Sequence, residues 1–76
     1  MPKISSLGFR EIASFLKING FMLDHTTGSH VVFYNNFTKK RAVVPRRSKD
    51  LPGGTILSIL TEAGFRRGDF IRFLNI

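Results

Sequence analysis

The chain has 76 residues, no cysteine, and 12 Lys and Arg against 5 Asp and Glu, for a formal net charge of +7. That length fits one small domain, expected over residues 1–76, with a shallow site rather than a deep substrate cavity. Disulfides, thiolate catalysis and cysteine-ligated zinc are excluded, and no apolar stretch approaches the roughly 20 residues of a membrane span.

Phe9, Ile12, Ala13 and Leu16 recur at the spacing of one helix face, and Phe15 widens the stripe. Gly8 followed by Glu11 is a variant of the capping box, and Asn19-Gly20 both accept the left-handed backbone of a helix end. The pattern predicts a helix over residues 7–18. Residues 21–25 read as a strand, Thr26-Thr27-Gly28-Ser29 as a turn, and the β-branched and aromatic residues 30–35 as a second strand. Asn35-Asn36 opens another turn. Residues 41–44 are expected as the third strand, ended by Pro45, which cannot donate to a ladder. After a loop over residues 45–52, Ile56, Leu57, Leu60 and Ala63 predict a second helix that starts at Gly53 or Gly54 and stops at Gly64. Residues 68–74 are expected as a short last helix with Phe70, Ile71 and Leu74 inward.

Strands grouped between helices predict an α+β domain, with a three-stranded antiparallel sheet and the helices on one face. Alternation places Phe21, Leu23, Val31, Phe33, Ala42 and Val44 on the buried face. Met22, Asp24, His30, Val32, Tyr34, Arg41 and Val43 then share the open one. That face is too apolar for plain solvent exposure, so Met22, Val32, Tyr34 and Val43 form a candidate contact patch.

A strong positive field on so small a body favours a polyanion partner. Half of the cations, Lys39, Lys40, Arg41, Arg46, Arg47 and Lys49, fall between positions 39 and 49, and no acid interrupts them before Asp50. They are expected to contact phosphate, whereas Arg66, Arg67 and Arg72 read as ordinary surface. Histidine is the side chain that can take and return a proton near neutral pH. His30 stands at the mouth of a strand, after Gly28, which permits close backbone approach, and Ser29, which can bond a phosphate or orient the ring. RNA brings its own nucleophile, the 2′-hydroxyl, so one positioned acid–base group suffices for slow cleavage without a metal. Residue type alone nevertheless favours a plain surface histidine. His25 is a second, weaker candidate, and two histidines without a carboxylate cluster make a poor metal site.

Asp50-Leu51-Pro52-Gly53-Gly54-Thr55 leads into a helix start, whose free N–H groups and dipole favour an anion. Gly53 and Gly54 let a phosphate come close, although capping by Thr55 or a glycine explains the same residues. No Gly-Lys-Ser/Thr follows, so this is not a P-loop. The chain shows no catalytic acidic pair, nucleophilic triad or dinucleotide fingerprint. The first six residues lack the apolar stretch of a signal peptide, and a cytoplasmic location is expected.

Taken in order, Gly28-Ser29-His30, Val43-Val44-Pro45 and the segment from Asp50-Leu51-Pro52-Gly53-Gly54-Thr55 to Leu60 resemble the HicA toxin family. The Gly20-Phe21 step after an N-terminal helix fits too, and the similarity runs over residues 9–64. The resemblance implies a double-stranded-RNA-binding-like α-β-β-β-α fold. It implies an mRNA interferase, an endoribonuclease toxin that cleaves transcripts and halts translation without a cofactor. His30 takes the place of the family's catalytic histidine. The implied partner is a HicB-type antitoxin, expected to cover His30 and the patch of Met22, Val32, Tyr34 and Val43. Many relatives carry a histidine just after the Val-Pro step, where this chain has Arg46, so a mechanism using that second imidazole is not expected here. Two other readings of the same residues are a non-catalytic RNA-binding module, which needs the cations but not His30, and a protein-interaction domain whose charge serves an acidic partner.

Overall fold

A computed structural model describes residues 8–46 and 50–74. Its elements are α1 (Phe9–Ile18), β1 (Phe21–Thr27), β2 (His30–Asn35), β3 (Lys40–Pro45), α2 (Gly53–Ala63) and α3 (Arg67–Leu74). The strands form one antiparallel sheet in the order β1-β2-β3. The architecture is therefore α+β, α-β-β-β-α with an added C-terminal helix, as the grouped strands predicted.

Helix α1 starts where the Gly8 N–H donates to Glu11 Oε1 at 2.9 Å, satisfying one of the free donors of a helix start. Its apolar stripe, Ile12, Ala13, Phe15 and Leu16, is buried. At its end only Gly20 takes the left-handed backbone, at φ +93°, while Asn19 stays at φ −95° and caps through its side chain. Asn19 Nδ2 donates to the Phe15 carbonyl at 2.8 Å. Gly64 ends α2 in the same left-handed way, at φ +91°.

Strand β1 runs two residues further than expected, so the first hairpin turn is Gly28-Ser29 alone, with Thr27 opposite His30. Gly28, at φ +56°, fills the first position of a two-residue turn, which only glycine occupies without strain. The second turn is organised by Asn35, a buried polar side chain. Its Oδ1 accepts from the N–H groups of Phe37 and Thr38 at 2.8 and 3.1 Å, and its Nδ2 donates to the Asn19 carbonyl at 3.1 Å. One carboxamide thus ties the end of α1 to the β2–β3 turn.

The core lies between the sheet and the helices. Phe21, Val31, Phe33, Ala42 and Val44 are buried on the expected face. Phe15 is the hub on the helix side, with the rings of Phe65, Phe70 and Phe73 edge-on at 4.8, 5.2 and 5.4 Å. Two core assignments fail. Leu23 is 56% exposed rather than buried, because only the Phe21 end of the outer strand β1 lies beneath the helical layer. On α2 the inward residue is Ile59, not Leu57, which the helix turns outward at 39% exposure.

Candidate functional site

His30 is exposed at the first position of β2, between Thr27 of β1 and Pro45 of β3. Two local features fix its backbone. Gly28 closes the turn on one side. On the other, the Arg46 N–H donates to the Ser29 carbonyl at 2.6 Å, carrying the sheet pairing one step past Pro45.

A shallow groove of about 440 Å³ runs beside the ring. His30, Val43 and Pro45 line its sheet side, and Thr55, Ser58, Ile59 and Glu62 line its helix side. Helix α2 lies there because Ile56, Ile59, Leu60 and Ala63 are buried, which leaves the polar row Thr55, Ser58 and Glu62 along the margin of β3. Glu62 Oε1 accepts from the Val43 N–H at 3.4 Å, a long contact that ties the helix to the outer edge of that strand. Pro45 sits on the same edge and has no N–H to offer. Ser58 and Glu62 escaped sequence reasoning; their spacing of three and seven from Thr55 was the available signal.

The first turn of α2 opens into this groove through Thr55. The helix is preceded by Pro52 and has no side-chain cap, so the expected capping by Thr55 or a glycine is not formed. The Ile56 N–H is bonded to the Pro52 carbonyl at 3.1 Å. Among the described residues, the N–H groups of Gly53, Gly54 and Thr55 have no protein acceptor. An imidazole and an uncapped helix start thus border one groove, a pairing suited to an anion that must gain or lose a proton.

The cations that are close in sequence are not close in space. Arg41 lies on the open face opposite Tyr34, and with Asp24 and Val32 they line a second groove of about 300 Å³. Lys40 pairs with Asn35 at the far end of the ladder, about 17 Å along the strand from His30, and Lys39 is in the turn beyond. The Lys40 stem crosses Gly64, where a β-carbon would stand 2.8 Å from its Cδ. Arg46 points to the helix side, its Cζ 5.8 Å from the centre of the Phe9 ring. Arg47 and Lys49 lie outside the described residues.

The open face also differs from simple alternation. The register slips between Leu23 and His25, so that Leu23 faces Phe33 and His25 faces Val32. This bulge at Asp24 turns His25 onto the open face, two residues earlier along the ladder than the Thr27–His30 pair. His25 Nδ1 lies 2.7 Å from Asp24 Oδ2. His25 does not line the groove that holds His30. Of the expected contact patch, Met22 is 65% exposed and Tyr34 and Val43 are half-buried, but Val32 is only 7% exposed. Its neighbours cover it, and it forms the floor of the patch rather than its crest.

Among the described residues no group of three His, Cys, Asp or Glu side chains converges as a metal-ligand set. No described helix is long and apolar enough to cross a membrane. The chain matches a family model described as the HicA toxin of bacterial toxin-antitoxin, over residues 9–65. No curated protein matches the chain.

Proposed function

The chain belongs to the HicA toxin family of bacterial toxin–antitoxin systems, and from that premise we propose that it is a metal-independent mRNA interferase with His30 as its acid–base residue. The observation that carries this reading is that the exposed His30 lines one groove with Thr55 in the uncapped first turn of α2.

In this reading the RNA backbone crosses the groove with a phosphate at the N–H groups of Gly53, Gly54 and Thr55. Those donors carry the charge that grows on the phosphoryl oxygens. His30 takes the proton of the adjacent 2′-hydroxyl. The 2′-oxygen bonds to phosphorus, the bond from phosphorus to the 5′-oxygen breaks, and the imidazolium returns its proton to that oxygen. The products are a 2′,3′-cyclic phosphate and a 5′-hydroxyl. Gly28 and Ser29 position the ring. Glu62 lies about 10 Å along the helix from Thr55 and repels phosphate from that end. Lys39, Lys40, Arg41, Arg46, Arg47 and Lys49 hold flanking phosphates.

A toxin of such a system has a cognate antitoxin. We assign it to the HicB type, acting in the cytoplasm, with acidic residues over the cations and apolar contacts on Met22, Tyr34 and Val43 around the Val32 floor. Covering His30 directly would silence the site.

Induced expression of the wild type and of His30→Ala tests the reading. The wild type arrests growth and leaves new transcript ends, and the folded variant does neither. Equal arrest by both would favour a toxin that binds RNA without cutting it.

A further inference from the structure

We propose that the β2–β3 turn is a second RNA subsite, in which the Phe37 ring stacks on an unpaired base and Lys39 and Arg41 hold the neighbouring phosphates. The inference rests on RNA being the substrate, and it adds a contact remote from the chemistry.

Phe37 is 90% exposed, the most exposed of the large apolar side chains of the described residues. Its backbone is not loose. Asn35 Oδ1 accepts from both Phe37 and Thr38, the Lys39 N–H donates to the Asn35 carbonyl at 2.8 Å, and Asn35 itself is only 3% exposed. Lys39 is the one non-glycine residue with positive φ among those described, at +62°. The chain therefore keeps a closely bonded turn, with an uncommon backbone conformation, whose tip presents a phenyl ring to water. The hydrophobic effect favours covering that ring with an apolar surface.

Charge selects the occupant. Lys39 is two residues from Phe37, and Arg41 follows on the open face beside Tyr34. An aromatic ring followed within four residues by three cations matches the face of a nucleobase with its phosphates, and single-stranded RNA offers unstacked bases where a duplex does not. Position supports the same partner. The turn lies at the opposite end of β2 from His30, about 17 Å away, with the Arg41–Tyr34 groove between them. Asp24 lines that groove too, its carboxylate already engaged by the His25 ring. One strand of a few nucleotides can thus run from His30 over Arg41 to Phe37.

The chain has no tryptophan, so Phe37→Trp introduces a single reporter. In a His30→Ala background, a single-stranded RNA of about ten nucleotides, within the range of single-strand sites, should quench its emission, and a dinucleotide should not. Phe37→Ala in that background should bind the longer RNA about 5- to 150-fold more weakly, the range for loss of one stacking side chain. With His30 intact, Phe37→Ala should cleave a dinucleotide at the wild-type rate and lose kcat/KM on the longer RNA. Unchanged binding and cleavage of the longer RNA by Phe37→Ala would overturn the subsite. So would an effect of Phe37→Ala confined to antitoxin affinity. RNA binding by none of the proteins, wild type included, would overturn the RNA reading itself.

Discussion

The backbone N–H of Arg46 donates to the carbonyl of Ser29 at 2.6 Å, joining the end of β3 to the residue before His30. This bond and the Gly28 turn hold the start of β2 from both sides. His30 is thus exposed while the backbone on both sides of it is held, and in the proposed reading this keeps the proton-transfer group in place without burying it.

Replacing Gly28 disturbs that arrangement through the backbone. A β-carbon meets nothing within 4 Å there, but φ is +56°. Gly28→Ala is expected to cost about 1–2 kcal/mol, the strain of an L-residue in the left-handed region. Urea unfolding reads the loss, and cleavage falls as the His30 backbone shifts.

His25 shares the open face but does not border the His30 groove. His25→Ala is therefore expected to leave the cleavage rate within about tenfold of the wild type, well short of the 10²–10⁴ that a positioned acid or base contributes. Single-turnover cleavage of a short RNA measures the difference.

Arg41 lines a groove on the open face with Asp24, Val32 and Tyr34, and in the proposed reading it holds a phosphate there. Each such contact on a single strand steepens the dependence of log affinity on log salt by about 0.7. Arg41→Ala should flatten the slope by that amount for RNAs of any sequence. Binding titrations of the His30→Ala protein across a salt series give the slope.

Asn35 joins three segments through one carboxamide. Asn35→Ala leaves partly buried backbone groups without partners and is expected to destabilise the fold by about 1–3 kcal/mol. Phe15→Ala removes the hub of the aromatic cluster and should cost about 3–5 kcal/mol. Losses of that size are large fractions of the stability of a small domain, and denaturant unfolding of each variant checks both.

Helix stripes and strand composition made the elements legible, because Ile12, Leu16, Ile56 and Leu60 repeat at the period of their own burial. The Gly20 and Gly64 stops were legible because left-handed backbone has few other occupants. Leu23 keeps its expected face, opposite Phe33, and is exposed because the helical layer does not reach that part of β1. The bulge at Asp24, which puts His25 opposite Val32, adds a single residue to one strand, and strict alternation contains no sign of it. The cationic run looked like one surface because sequence distance is short. A six-residue strand is long enough to carry Lys39 and Arg46 to opposite ends of the sheet, and their parity sends Arg41 and Arg46 to opposite faces. Ser58 and Glu62 read as solvent-facing helix residues, since only the packing of α2 along β3 reveals that they border a groove. His30 and the start of α2 were legible separately. Their meeting across that groove is a property of the fold.

The most direct measurement is cleavage of a single-stranded RNA by the purified protein in the presence of a metal chelator, wild type beside His30→Ala. The wild type is expected to leave 2′,3′-cyclic phosphate ends, and the variant, with an unchanged circular dichroism spectrum, to cut at least about 10²-fold more slowly. A folded His30→Ala protein that cuts at the wild-type rate would contradict His30 as the group that moves the proton.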